Sequence, residues 1–280
     1  MRKSFLPVLF ILLLGLASCG DEQADVTPPS LDLVSIDPKL KTLEICGNPD
    51  EQSLRLSTRD TLQITLDIQD DGGLSQLKLD IHQNFDCHGH GGQAPGFSIP
   101  DRENATTDWE RLQLIELDGV EEEFFLQLVP PTNGTAGNYH LSFRALDLSG
   151  NESSFDQIYN VVLQNSADTT APQLTLNAFP QAAATLNRGD NYDFSGFLSD
   201  NQILSNGGNA LVFLTYRPID SEIWVTGPFQ PMTAEELTET FTLNFIPPTT
   251  ITKGSYEIAV WGFDGVRNIA LSWKNTYEIE

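Results

Sequence analysis

The chain has 280 residues, of which 15 are Lys or Arg and 39 are Asp or Glu, giving a formal net charge of −24 at neutral pH. Such a surface repels nucleic acid and anionic membranes, which excludes both as partners of the folded body, and it attracts cations while keeping an exposed protein soluble. The length suits two domains of ordinary size rather than one large core.

The sequence starts with Arg2 and Lys3, continues with an apolar run from Phe5 to Leu16, and then reads Ala17, Ser18, Cys19, Gly20. That run is shorter than the roughly 20 residues of a membrane-spanning helix, so residues 1–19 read as a signal peptide rather than a permanent anchor. LASC before Gly20 resembles a bacterial lipobox, which implies lipidation at Cys19. The following GDEQAD resembles the acidic signal that sends lipoproteins of Bacteroidota-type bacteria to the outer face of the outer membrane. The expectation is a lipid-tethered body at the cell surface, attached to the membrane through Cys19 and a linker over residues 20–30.

The linker carries Ala24 to Pro29, ADVTPP, after which Leu31, Leu33 and Ile36 begin an apolar alternation. A matching junction, ADTTAP at Ala167 to Pro172, precedes Leu174 and Leu176. The two halves also end alike: Phe124 to Asn151 matches Phe241 to Asn268 without a gap at a constant offset of 117, sharing a Pro-Pro pair, a Gly-x-Tyr and an Asp that precedes an Asn. Repetition of this length places one fold twice, over residues 31–166 and 167–280.

Each half reads as β-structure. Thr61 to Gln69, Leu77 to Phe85, Phe124 to Val129 and Tyr139 to Leu146 alternate at period two, as do Tyr192 to Leu198, Ala210 to Arg217, Phe241 to Ile246 and Tyr256 to Phe263. Short strands with turn residues between them, and no amphipathic helix after residue 30, predict two tandem immunoglobulin-like β-sandwich domains, an all-β protein.

Three of the four histidines, His82, His88 and His90, fall within IHQNFDCHGH, residues 81–90, and the fourth is His140. In Leu77 to Phe85 the apolar set Leu77, Leu79 and Ile81 faces the core, so His82 points outward beside Lys78 and Asp80. In the later strand Tyr139, Leu141, Phe143 and Ala145 face inward and His140 outward. In an immunoglobulin-like fold these are the third and sixth strands, antiparallel neighbours, and their register brings His82 to His140 with β-carbons about 4.5–5.5 Å apart. Gly89, Gly91 and Gly92 let the intervening loop return with His88 and His90. Neutral imidazoles suit a zinc or copper ion and are poor ligands for magnesium or calcium. A lone outward histidine is ordinary surface; four converging ones make a candidate metal site. The second half is a control, since Glu257 stands where His140 does and Tyr216 lies near the place of His82.

With Cys19 assigned to lipid, Cys46 and Cys87 remain. They can form a disulfide in an oxidising envelope, or Cys87 can serve as a thiolate ligand, and Asp80 or Asp86 can complete a ligand set. Asp70, Asp71 and the Asp147 to Asn151 turn read as turn formers rather than a calcium site. Asp60-Thr61-Leu62 and Asp168-Thr169-Thr170 resemble short O-glycosylation sites. Trp109, Trp224, Trp261 and Trp273 read as packing residues, with Trp261 outward on its strand.

The IHQNFDCHGH stretch, with GNYHLSFRALDLSGN at residues 137–151, resembles the family catalogued as domain of unknown function 4625, over about residues 26–165. The resemblance implies lipid-anchored, immunoglobulin-like proteins and brings no settled activity. No nucleophile elbow, phosphate loop, dinucleotide fingerprint or HExxH occurs, so the expectation is a binding protein and not an enzyme. The reading is metal capture or delivery beside an outer-membrane transporter; the alternative is an adhesion or surface-glycan module in which the metal is structural.

Overall fold

The computed structural model describes residues 25–45, 48–85, 106–154, 158–221 and 223–280. Seventeen strands and no helix occur among them. In the first half β1 (Ser30–Asp37), β4 (Leu62–Gln69) and β7 (Glu121–Leu128) form a three-stranded antiparallel sheet. A six-stranded sheet faces it, in the order β2 (Lys41–Ile45), β3 (Asn48–Ser57), β9 (Ile158–Gln164), β8 (Gly137–Asp147), β5 (Leu74–Gln83), β6 (Arg111–Glu116). The second half repeats the plan. There β10 (Gln173–Ala178), β12 (Tyr192–Ser199) and β15 (Thr238–Phe245) oppose a sheet ordered β11 (Thr185–Leu186), β17 (Ile269–Ile279), β16 (Gly254–Phe263), β13 (Leu211–Pro218), β14 (Val225–Pro231).

In each half the leading strand pairs in one sheet and the chain then crosses to run parallel to the last strand of the other, as β3 does beside β9 and β11 beside β17. Three strands against a sheet in which the last two strands of the half lie side by side is the immunoglobulin-like sandwich, now seen as topology.

Alternation explains the packing. Along β4, Leu62, Ile64, Leu66 and Ile68 are fully buried, and they meet Leu77, Leu79 and Ile81 of β5 and Tyr139, Leu141, Phe143 and Ala145 of β8 across one core. A separate core joins Phe194, Leu198, Val212, Leu214, Phe241, Leu243, Phe245, Ile258 and Val260. Each half also buries a tyrosine at the start of the same strand. Tyr139 donates its hydroxyl to the Thr135 carbonyl at 2.8 Å and Tyr256 to that of Thr252 at 2.9 Å, 117 residues later. This is the tyrosine corner of immunoglobulin-like sandwiches. Burial, with the charge of Asp108 beside it, pushes the Tyr139 phenol well above its ordinary range.

The strands expected from alternation are all present, but the expected count is short. The hairpin of β2 and β3, the edge strands β6 and β14, and β9, β11 and β17 add to that set; because β2 and β3 are inserted after the leading strand, the third and sixth immunoglobulin strands are β5 and β8 in chain order.

Candidate metal centre

The fold makes β5 and β8 direct antiparallel neighbours, and their register pairs His82 with His140. The ring centroids lie 5.4 Å apart, edge to face at 81°. Asp80, two residues before His82 on the same face, accepts a hydrogen bond from His82 Nδ1 at 3.2 Å. That contact puts the lone pair on Nε2 and is the carboxylate-to-imidazole arrangement found behind metal-bound histidines.

The outward position expected of His140 is corrected. Its residue exposure is 5%, whereas His82 is half-buried. Alternation fixes which sheet face carries His140, but not whether that face is covered. Here the His82 ring and the Asn84 side chain lie against it, and Asn84 Nδ2 stands 2.7 Å from His140 Nε2. In this amide orientation Asn84 Oδ1 is buried without a partner. Turning the amide over puts the carbonyl oxygen on Nε2–H at the same separation, satisfies it, and moves the His140 lone pair to Nδ1.

His88, His90, Cys46, Cys87 and Cys19 lie outside the described residues, as does Asp86, so the structure brings together two of the four histidines.

The control in the second half is sharper than the sequence suggested. The residue opposite Glu257 is Arg217, not Tyr216, which pairs with Ile258 and belongs to the core. Arg217 Nη2 lies 2.6 Å and Lys274 Nζ 2.7 Å from the Glu257 carboxylate, and the Arg217 guanidinium sits 4.5 Å from the Trp224 ring centroid. Burial pushes the Glu257 carboxyl up, but the hydrogen bonds and charges of Lys274 and Arg217 outweigh it and hold the group below its ordinary value. Trp261 is half-buried against Phe213 and donates Nε1–H to Thr215 Oγ1 at 2.8 Å, while Trp109 and Trp273 pack into the two cores.

Acidic groups that could hold a metal ion are also present. Among the described residues, two sets of three ligand-bearing side chains have ligand atoms within 4.8 Å of one another: Asp25, Asp70 and Asp71, and Asp168, Asp200 and Asp264. Asp70 and Asp71 have the composition of a turn and Asp25 lies in a proline-bearing linker, so none of the three, taken alone, stands out as a ligand in the sequence. The recurrence of an Asp in each proline-bearing junction and at the head of the second Asp-x-x-x-Asn turn points to Asp25, Asp168 and Asp264, whereas Asp70, Asp71 and Asp200 carry no such signal.

Fold and candidate ligands together describe a tandem immunoglobulin-like sandwich protein with polar positions able to hold metal ions. The chain belongs to the family described as a domain of unknown function, DUF4625, whose model matches residues 17–162. No curated protein matches it. Among solved structures, latent PorU from Porphyromonas gingivalis is similar over 90% of this chain and 24% of its own, at 10% identity and a TM-score of 0.27. The fibronectin(III)-like modules of Clostridium thermocellum CbhA are similar over 89% of this chain and 93% of theirs, at 11% identity and a TM-score of 0.26. Trypsin-activated alpha-2-macroglobulin from Escherichia coli is similar over 90% of this chain and 16% of its own, at 11% identity and a TM-score of 0.33. This chain thus spans about a quarter or less of PorU and of the macroglobulin, and similarity at this level carries no functional argument.

Proposed function

We propose that the protein is a cell-surface lipoprotein, anchored through Cys19, that binds zinc or copper through His82 and His140 together with His88 and His90. Its role is metal capture or delivery beside an outer-membrane transporter, by binding rather than catalysis. The observation that carries the reading is the direct cross-strand pairing of His82 with His140, backed by Asp80 on one imidazole and Asn84 on the other. Two imidazoles at this separation can share one ion, and borderline metals prefer nitrogen donors.

The test is metal content by mass spectrometry of the untagged protein beside a His82→Ala, His140→Ala double variant. Near-stoichiometric zinc or copper in the parent and its loss in the variant support the reading. Absence of metal from both after incubation with zinc and copper overturns it and turns attention to adhesion and glycan binding. Acidification is a second handle, because protonated imidazole has no lone pair to give.

A further inference from the structure

We propose that each sandwich holds one hard divalent cation of the calcium class at the corner where its leading segment and two of its turns meet. The second of these ions clamps the junction between the sandwiches.

At the second corner, Asp168 and Asp264 are 6% and 0% exposed. Asp200 completes the set, and its carboxylate is buried as a group, since each oxygen exposes less than 1 Å² and neither has a hydrogen-bond partner. The amides of Asn201 and Gln202 lie near enough to favour its charge without meeting hydrogen-bond geometry. A buried anion without a partner is costly, and three carboxylates within 4.8 Å make it costlier.

The first corner repeats the device with different neighbours. Asp25 Oδ1 accepts from the Thr27 amide at 2.9 Å, and Asp70 Oδ1 accepts from the Gly72 and Gly73 amides at 2.8 Å each. The other oxygen of each carboxylate, Asp25 Oδ2 and Asp70 Oδ2, is buried and without a partner. In both corners an Asp-x-x-x-Asn turn latches the leading segment: Asn151 Nδ2 donates to the Asp25 carbonyl at 3.0 Å and Asn268 Nδ2 to the Asp168 carbonyl at 3.0 Å. Oxygen-only donors select a hard ion over zinc or copper.

The turn that supplies Asp264 also touches the first sandwich. Val266 O accepts from the Ala136 amide at 2.9 Å. Arg267 lies 3.7 Å from the Phe85 ring centroid, and it does so at φ 80°, a left-handed conformation that its counterpart Gly150 adopts without side-chain strain. An ion joining Asp168, in the segment between the sandwiches, to Asp264 therefore fixes the contact of Val266 and Arg267 with the first sandwich.

The test is calorimetric titration of the chelator-treated intact protein with calcium, with magnesium as comparator. Two calcium ions per chain are expected, one lost in Asp70→Asn and the other in Asp200→Asn. The affinity loss is on the order of a hundredfold, the scale on which ligand charge tunes calcium sites. In chelator, Asp200→Asn should melt above the parent, because it removes a buried unpartnered charge; in calcium it should melt below it. A spin label in each sandwich should report a narrower distance distribution with calcium in the parent and no narrowing in Asp200→Asn. A parent whose melting temperature ignores millimolar calcium overturns the proposal, as does equal calcium binding by parent and both variants. The His82→Ala, His140→Ala variant should keep both calcium ions, which separates this proposal from the histidine reading.

Discussion

The facing rows on β5 and β8 in the first sandwich and on β13 and β16 in the second occupy the same place in one fold and are filled differently. In the first, Lys78, Asp80 and His82 face Arg144, Ser142 and His140. In the second the positions hold Phe213, Thr215 and Arg217 opposite Trp261, Ala259 and Glu257. There an apolar cluster of Leu211, Phe213 and Phe263, with Trp224 and Trp261 against it, ends in an ion-paired trio. The sandwich thus accepts a greasy or a polar outer row without change of topology, because the core face alone specifies it. Whatever the histidines do, the fold does not require them.

The comparison breaks most completely if the rows are exchanged. Replacing His82 by Arg and His140 by Glu should abolish zinc and copper binding in a metal-content assay while the protein keeps its β-sheet circular dichroism. Next in size are the features the halves share. Tyr139→Ala and Tyr256→Ala should each cost about 3–5 kcal/mol in chemical denaturation, since each removes a buried ring and a hydrogen bond. A tenfold disparity between the two free-energy losses would show that the corners are not equivalent.

Glu257→Gln should cost about 1–3 kcal/mol at pH 7, between the values for exposed and buried pairs, as the Glu257 side chain is 16% exposed. Because its folded pKa is depressed, the stabilisation is complete above the ordinary value of 4.5 and is lost as pH falls through the lower folded value. The parent should therefore lose its advantage over the variant only below pH 4.5, which paired acid titrations would reveal. Smallest is His82→Ala alone in metal-depleted protein. The ring is half-buried, and its removal should shift stability by about 0.5 kcal/mol or less.

Much of this was legible in the residues. Period-two alternation in Leu62 to Ile68 and in Tyr139 to Ala145 names the buried face, and the offset of 117 names the repeat, so the pairing of His82 with His140 follows before any coordinates. Edge strands were harder. In β6, Leu112 and Leu114 are 68% and 61% exposed, so apolar side chains there do not mark a core face. Alternation also placed His140 on the correct face while saying nothing of its cover, since the cover comes from His82 and Asn84. The acidic corners were hidden for a related reason: Asp25 and Asp70 are 45 residues apart, and only the folded turns bring their carboxylates together. Arg267 stands where its counterpart is Gly150, and the Phe85 ring of the other sandwich that it meets appears only in the fold.

The parallel pairing of leading and last strands has a mechanical consequence. In the first sandwich β3 meets β9 over Ser53 to Ser57, five residue pairs, whereas β11 meets β17 over only Thr185 and Leu186. Tension applied at the chain ends shears such parallel strands, loading their hydrogen bonds together rather than unzipping them in turn. Under such tension the second sandwich yields first, at the shorter clasp of β11 on β17. The sandwich bearing His82 and His140 stays closed longest under pull.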